Sequence, residues 1–299
     1  MSLDPRNLSI LLHVARSGSF TAAAKALNMS QPAVSIAIAQ LEDRVGTQVV
    51  MRDRKGATLT EAGALLLRRA QAIENILHSA EQEVAGHREQ IDGPLKVGGT
   101  PGALVALAPP LIARLAVEDR GLAVQAVEAR DEDLAPMLRM RAIDLALCTA
   151  SREEPPSDII EVPLQSEPFL LLAAPDNPMP DQGVSIAEAA IFPWILPLAD
   201  GATRRQLEAV FLSAGVALPK TILRCDALAT MKDTVRKAGF LTLLPASVVD
   251  TEIKAGLMRA VPLLDGPPPR RLAIWRMRGD DLSAPAARFI AGAQALSSP

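Results

Sequence analysis

The stretch from Ser19 to Gly63 constrains this chain more than any other, because it sets two short helices, a tight polar turn and a basic hairpin in close succession. The first helix is predicted from about Thr21 to Leu27. Ala23, Ala24 and Leu27 fall on one apolar face at helical spacing. Two of these three residues are small, so another helix can approach this face closely.

The second helix of the stretch has clear start signals. Ser30 is placed to cap it, and Pro32 lies in its first turn, where a missing backbone N–H is harmless. The spacing predicts a helix from about Gln31 to Val45 with a buried stripe of Val34, Ile38, Leu41 and Val45. A helix presented after such a turn can enter the major groove of DNA. The residues left off the stripe, which become candidate base readers, are Gln31, Ala33, Ser35, Ile36, Ala37 and Gln40.

A hairpin is predicted directly after the second helix. The chain is strand-like at Val49 and Val50, turns at Asp53–Gly56 and returns from Ala57 to Leu59. It carries three cations, Arg52, Arg54 and Lys55. Cations on a short ribbon suit phosphate contacts beside a groove, whereas an isolated charged hairpin is more often a solvated surface. Its position after the paired helices favours the phosphate-binding interpretation.

Taken together, these residues resemble the winged helix-turn-helix of the LysR-type transcriptional regulators. The matching positions are Ala23-Ala24, Leu27, Ser30-Gln31-Pro32-Ala33-Val34-Ser35, Leu41-Glu42, Gly46, Arg52 and Leu59-Thr60-x-Ala62-Gly63. The resemblance implies double-stranded promoter DNA and RNA polymerase as partners. The expected DNA-binding residues are Ser30, Gln31, Pro32, Ser35, Ile36, Ala37, Gln40, Arg52, Arg54 and Lys55.

Two departures from the family pattern affect how DNA is read. Members usually carry a Leu-Phe pair where this chain has Val49-Val50-Met51 before Arg52. Ile36 and Ala37 replace long polar or cationic residues. Bidentate hydrogen bonding to guanine is therefore not expected from these two positions, and thymine methyl contacts, DNA shape, or Ser35 and Gln40 must provide the specificity.

Charge is divided unevenly along the 299 residues. The formal net charge is −3, but residues 1–70 hold nine Lys/Arg against five Asp/Glu, which leaves +4 in the head and −7 in the remainder. A basic head on an acidic body keeps the attraction to DNA local. No run of about eighteen uncharged apolar residues and no signal-peptide pattern occur, so we expect a cytoplasmic protein without a membrane partner. The two cysteines, Cys148 and Cys225, indicate inert buried thiols, with a redox pair as the lesser alternative.

A long helix is predicted from about Glu61 to Gln90. Its apolar residues alternate four and three apart, as in a coiled-coil seam: Leu66, Ala70, Ile73, Leu77, Ala80 and Val84. The seam is short, so packing of the helix on its own domain stays an alternative. Pairing of two chains would double the contacts on a palindromic site. The family resemblance implies an antiparallel homodimer through this helix, assembled further into tetramers.

The remainder alternates strands and helices after the break at Ile91–Pro94, which indicates an α/β body. Pro-rich breaks near Pro163 and at Gly266–Pro269 suggest two crossings between subdomains. The expected fold is an N-terminal winged helix-turn-helix (1–60), a linker helix (61–91) and a two-subdomain α/β region (92–299). The resemblance implies an effector-binding region of periplasmic-binding-protein type, with subdomain I at about 92–163 and 267–299 and subdomain II at about 164–266. The predicted strands are 95–98, 122–127, 145–148, 169–173, 194–196, 221–224, 241–244 and 272–275.

Ligands of such folds bind at the carboxyl ends of strands, where helix N-termini present free N–H groups. The family's effector pocket lies at junctions that match Thr100, Thr149 and Ala202-Thr203. Each threonine could instead cap its helix. We expect a small-molecule effector whose carboxylate is held by Thr100, Thr203 and backbone N–H groups, although Asp200 weakens the case for an anion and Arg204 could face solvent. The expected effector residues are Thr100, Pro101, Gly102, Thr149, Ala150, Gly201, Ala202, Thr203, Asp226 and Ala227.

Catalysis finds little support in the sequence. The three histidines, His13, His78 and His87, all precede the α/β body, so a histidine base is lacking there. Gly98–Gly102 lacks the lysine and spacing of a phosphate-binding loop, and the acids at 131–133 fit a helix start. We expect no catalytic residue, cofactor or metal. Two alternatives are an α/β enzyme or small-molecule binder with an accessory DNA-binding head, and an architectural DNA binder whose body only oligomerises.

Overall fold

The structure, a computed structural model, describes residues 3–53, 56–89, 94–118, 123–150, 154–198 and 201–297. The chain forms two compact units. The first contains residues 1–93 and 139–142, and the second contains residues 94–138 and 143–299.

The first unit is a helical head with a two-stranded wing. In chain order its elements are α1 (Pro5–Ser17), α2 (Phe20–Ala26), α3 (Gln31–Val45), β1 (Val50–Asp53), β2 (Gly56–Leu59) and α4 (Glu61–Glu89). The predicted end of the long helix at Gln90 and the break at 91–93 lie outside the described residues.

Local signals set the limits of α3. The Ser30 hydroxyl accepts a hydrogen bond from the Ala33 N–H at its start, and Gly46 takes the left-handed conformation, with φ 72°, at its end. Val34, Ile38 and Leu41 are buried in the core of the head, as predicted. Ala37 is also buried, at 7 % exposure, because it lies three residues after Val34 on the same face. Its assignment as a DNA contact is therefore wrong.

The two halves of α4 differ in their packing. Leu66, Ala70 and Ile73 pack against the core formed by α1, α2 and α3 of the same chain. These residues were predicted to form a seam between two chains, with packing on their own domain as the alternative. Ala70 is buried in the head and Leu66 and Ile73 are partly buried there, which favours the alternative for this half of the helix. Further along the helix, Leu77 and Val84 are exposed at 58 % and 62 %. Ala80 is exposed as well.

The second unit is an α/β structure. Its helices are α5 (Pro101–Glu118), α6 (Asp131–Arg139), α7 (Ile186–Ala189), α8 (Ala202–Ser213), α9 (Leu228–Ala238), α10 (Ala246–Lys254) and α11 (Ala284–Ser297). Its strands are β3 (Leu95–Gly99), β4 (Val124–Glu128), β5 (Leu145–Thr149), β6 (Ile159–Glu167), β7 (Phe169–Ala173), β8 (Trp194–Leu196), β9 (Ile222–Arg224), β10 (Thr242–Pro245), β11 (Arg259–Val261) and β12 (Arg270–Met277).

These strands form two separate sheet systems. The first is a five-stranded sheet in the order β4-β3-β5-β12-β6, in which β3 pairs parallel with β4 and β5 while β12 runs antiparallel to β5 and β6. The second contains β10-β7-β11, and a bridge between Trp194 and Leu241 connects it to the parallel pair β8-β9. Each system has its own apolar core, centred on Leu111 and Phe289 in the first and on Trp194 and Phe211 in the second.

The chain crosses between the two sheets twice, once from β6 through Pro168 to β7 and once from β11 to β12. Gly266–Pro269 lies in the second crossing, as predicted. Pro163 does not form the first crossing. It lies inside β6, which the sequence analysis missed, and an edge strand tolerates a proline because one of its sides needs no ladder hydrogen bond. Strand β11 was missed too, and the predicted start of β4 at Leu122 lies outside the described residues.

None of the described helices combines the length and the apolar character needed to span a bilayer.

Candidate nucleic-acid interface and ligand cavity

The outward face of α3 is a candidate DNA-reading surface. Pro32, Ile36 and Gln40 follow one another at four-residue spacing, and all three are exposed, Ile36 at 58 %. Beside them the Gln31 side-chain amide donates a hydrogen bond to the Ser35 hydroxyl over 2.8 Å. The face therefore offers an apolar contact flanked by hydrogen-bonding groups, a combination that suits the thymine methyl and base edges of a major groove.

The wing is anchored to α3 by one carboxylate. Glu42 Oε1 accepts hydrogen bonds from the N–H groups of Val49 and Val50 at 2.8 and 3.1 Å. Strand β1 then pairs with β2, which places Arg52 opposite Ala57. The side chain of Arg52 and the whole of Arg54 and Lys55 lie outside the described residues.

A cavity of about 240 Å³ lies between the two sheets of the second unit. Its walls come from the carboxyl ends of strands and the starts of helices, as the sequence predicted for a ligand site. Six predicted effector residues line it together: Thr100, Pro101, Gly102, Gly201, Thr203 and Asp226. The remaining lining residues are Glu128, Ala129, Arg130, Asp131, Glu132, Pro197, Arg204, Cys225, Leu228, Met231, Leu243, Leu244, Pro245 and Arg270.

The two threonine hydroxyls of the cavity are not helix caps. The N-cap of α8 is Gly201, which makes no side-chain capping bond, and Thr203 is the second residue of that helix. Thr100 precedes α5, but its backbone carbonyl, not its hydroxyl, accepts from the N–H groups of Ala103 and Leu104. Neither hydroxyl makes a hydrogen bond to a residue that the structure describes. Both can therefore bond to a ligand.

Arg270 is the most deeply buried charge of the cavity wall, at 3 % exposure. It donates through Nε to Glu167 Oε1 at 2.8 Å and through Nη2 to the Gly102 carbonyl at 2.9 Å. Burial lowers the pKa of Arg270, while the neighbouring Glu167 and Asp131 carboxylates oppose that shift. A Cβ on Gly102 would lie 2.9 Å from Arg270 Nη1, so only glycine lets α5 approach the guanidinium this closely.

The far wall holds a second set of paired charges. Arg204 Nε donates to Glu208 at 3.0 Å and its Nη1 donates to the Leu198 carbonyl at 2.9 Å. Arg224 pairs with the same carboxylate at 2.6 Å. Burial raises the pKa of Glu208, but hydrogen bonds from Arg224 and Arg204 outweigh it and hold that pKa below its ordinary value. Arg204 is therefore directed to Glu208 and a carbonyl group of its own chain.

The cysteines lie in different environments. Cys225 lies in the cavity wall, and Cys148 is buried on β5 in the other sheet system. Desolvation raises the pKa of the Cys148 thiol well above its usual range, which disfavours the reactive thiolate. Both cysteines are free thiols. This arrangement does not favour the redox-pair alternative.

Three predicted effector residues do not line the cavity. Thr149 is buried behind Arg270, whose Nη1 lies 3.5 Å from its hydroxyl. Ala150 packs against the separate apolar cluster around Leu134. Ala227 is exposed at the start of α9. These three assignments are corrected, because a strand end can face the neighbouring strand or solvent as readily as the cleft. The side chain of Ala202 and the whole of Asp200 lie outside the described residues.

Comparison with known protein families supports both parts of the chain. The model of the bacterial regulatory helix-turn-helix protein, lysR family, matches residues 5–64, and that of the LysR substrate binding domain matches residues 88–296. The chain belongs to the LysR family of transcriptional regulators. As a LysR-type regulator, it is a DNA-binding protein that regulates transcription and carries a substrate-binding domain.

Individual relatives agree with this family. The chain is 30 % identical over 279 residues to the HTH-type transcriptional regulator CfxR of Cupriavidus necator, covering 92 % of this chain and 85 % of CfxR. It is also 30 % identical over 281 residues to the DNA-binding transcriptional dual regulator OxyR of Escherichia coli, covering 94 % and 91 %. Among solved structures, full-length CbnR complexed with target DNA shares the fold, with a TM-score of 0.72, 19 % identity and coverage of 98 % and 99 %. CfxR and OxyR are named as transcriptional regulators.

The sequence analysis missed several cavity residues of this LysR-type regulator. No local sequence pattern points to Arg270, because its partner Glu167 lies 103 positions away along the chain. Asp131 and Glu132 were interpreted only as helix-start acids, and they do begin α6, but they also line the cavity. A search for acids at strand-to-helix junctions, in addition to threonines, would have found both.

Proposed function

We propose that this LysR-type regulator binds promoter DNA as a homo-oligomer and that a small-molecule effector in the Thr100–Arg270 cavity alters its binding or its activation of transcription. The observation that carries the proposal is the cavity itself. It lies between two sheets joined by only two crossings in the described chain, and it is lined by two threonines whose hydroxyls bond to none of the described residues.

An effector in this position touches both sheet systems at once. Thr100 directly follows β3 of the first sheet, and Thr203 lies on α8, which packs on the second sheet system. A ligand that fits one separation of the two sheets better than another shifts the population between them, whereas one with equal affinity for both shifts nothing. The cavity therefore offers a way to couple metabolite binding to the arrangement of subunits on DNA.

The distal half of α4 supports oligomerisation. Ile76, Leu77 and Val84 are exposed at 48 %, 58 % and 62 %. Three exposed apolar side chains on one half of a helix are more stable when they are covered, so they favour packing against a helix of a second chain. We assign chain pairing to this half alone, with tetramers built from such pairs, and RNA polymerase as the partner during activation.

The test combines selection of DNA with screening of ligands. Genomic fragments retained by the purified protein at moderate salt identify an operator, and a thermal-shift screen of a defined metabolite collection identifies stabilising compounds. We expect such a compound to change the length or bend of the DNase footprint on the operator. Identical footprints at zero and saturating compound would contradict the coupling.

Matched variants locate the site of that effect. Thr100→Val and Thr203→Val should weaken the footprint response and leave operator affinity in the absence of compound unchanged. Thr251→Val, at an exposed position on α10, is the control and should behave as wild type. Loss of operator binding or of folding in the two cavity variants would instead indicate that these threonines have a structural role.

A further inference from the structure

The arginines that line the cavity are all engaged by carboxylates of the protein. Arg270 pairs with Glu167 and Arg204 pairs with Glu208, both within 3.0 Å. Arg130 pairs with Glu132 and Asp133 at 2.5 and 2.9 Å. A guanidinium group has five N–H donors, so an anionic ligand could share an arginine with its carboxylate, but that carboxylate would repel the ligand. Only the Arg270 pair is buried, and the Arg130 side chain is 62 % exposed, but each arginine of the lining has a carboxylate beside it that weakens its attraction for a carboxylate or phosphate.

The start of α8 is also occupied by an acid. The first N–H groups of a helix attract anions, and Gly201 at the N-cap leaves room for one. A Cβ placed on Gly201 would lie only 2.5 Å from Asp131 Oδ2, so the Asp131 carboxylate lies against this helix start. The protein therefore supplies its own anion at the position where the sequence predicted a ligand carboxylate.

The lining contains both acidic and apolar residues. Glu128, Asp131 and Asp226 bring carboxylates to the cavity in addition to Glu132, which pairs with Arg130, while the neutral part of the wall includes Leu228, Met231, Leu243 and Leu244. A carboxylate accepts up to about four hydrogen bonds, so the bond that Asp226 Oδ1 accepts from the Leu198 N–H does not exhaust it. The volume of about 240 Å³ limits the ligand to a small metabolite.

We infer that the effector of this cavity is a small organic cation: a protonated amine that the carboxylates bind, attached to a short apolar segment that packs on the Met231 side. The inference rests on the function proposed above and revises the carboxylate ligand expected from the sequence. The ammonium group of the ligand donates hydrogen bonds to the carboxylates of the lining, and the hydroxyls of Thr100 and Thr203 accept or donate further bonds.

The experiment uses three probes that share a four-carbon chain and differ in charge: n-butylammonium, butyrate and n-butanol. Each is titrated at millimolar concentration into the full-length protein carrying ¹³C-methyl methionine, and the Met231 methyl signal is assigned with Met231→Leu. We expect n-butylammonium to shift this signal at concentrations about tenfold lower than n-butanol, and butyrate to have the weakest effect. Added salt should weaken the ammonium response and leave the butanol response unchanged.

Variants tie the preference to the named acids. Asp131→Asn and Asp226→Asn should each reduce n-butylammonium affinity about tenfold, since one charge-assisted hydrogen bond is lost, with butanol affinity unchanged. Asp250→Asn removes the same charge from an exposed pair with Lys254 and is the control. Should Asp131→Asn not fold, Asp226→Asn and the wild-type salt dependence still decide the question.

The outcomes separate the two proposals. If n-butanol binds and butyrate binds as strongly as n-butylammonium or more strongly, the inference of a cationic effector is overturned. The cavity then remains a ligand site. A Met231 signal that none of the probes moves would count against the cavity as a binding site, and so against the proposed function as well as this inference.

Discussion

The buried pair between Arg270 and Glu167 gives the sharpest test of how the two sheets are held. Their side chains are 2 % and 10 % exposed, and Arg270 donates to Glu167 Oε1 from both Nε and Nη2. The second oxygen of Glu167 accepts from the Ser247 N–H at 3.0 Å, in the first turn of α10. One carboxylate therefore serves both the β12 strand and a helix of the other sheet system.

Glu167→Leu leaves the guanidinium buried without its carboxylate and the Ser247 N–H without an acceptor. Loss of one partner of a buried pair costs about 3–5 kcal/mol, and the lost helix-start bond adds roughly 1 kcal/mol. We therefore expect the free energy of unfolding of the second unit to fall by about 4–6 kcal/mol. The double variant Glu167→Leu with Arg270→Met leaves no buried charge and should be more stable than Glu167→Leu alone by about 2 kcal/mol or more.

The assay is urea unfolding followed by tryptophan fluorescence. The chain has two tryptophans, Trp194 and Trp275, and one lies in each sheet system of the second unit. The signal therefore reports this unit alone. A loss below about 1 kcal/mol for Glu167→Leu, or strictly additive single and double variants, would refute the reasoning.

Three further predictions concern other parts of the chain. Ile36→Ala should lower operator selectivity and leave affinity for random DNA unchanged, because a thymine methyl contact discriminates bases while phosphate contacts do not; competition gel shifts measure both. Leu77→Glu should lower the molecular mass of the oligomer measured by analytical ultracentrifugation, whereas Arg68→Glu, at an exposed position of the same helix, should not. The pKa of Glu208 lies below its ordinary value of 4.5, so its pairing stabilises the fold above that pH and is lost as the pH falls further. The urea midpoints of wild type and Glu208→Gln should thus differ at about pH 7 and converge as the pH falls below 4.5, and a constant difference would contradict the pairing.

Local chemistry made the head predictable. Ser30 and Gly46 mark the ends of α3 through bonds to residues three or four positions away, so the helix limits could be derived from sequence. Ala37 was misplaced because a methyl group packs equally well in a core or against a base. Leu66 and Ala70 were assigned to a seam for a similar reason: helical spacing shows that a face is apolar but not which surface covers it.

The cavity was predictable in position but not in charge. The strand ends and helix starts in the sequence predict Thr100, Gly201 and Thr203, and all three line the cavity. The pairing of Arg270 with Glu167 depends on two strands meeting across a sheet, and no neighbouring residue signals it. The crossing predicted near Pro163 was wrong for a comparable reason. A proline can lie within β6 only because that strand is at the edge of its sheet, and the sequence does not show which strand is at the edge.

The two passages of the chain between the sheets, at Pro168 and between β11 and β12, have a mechanical consequence. Two attachment points define a line, and rotation about that line deforms only a few linking residues, whereas sliding or twisting strains both passages together. The two sheet systems should therefore rotate about this line more readily than they slide past each other, and such a rotation changes the width of the cavity between them.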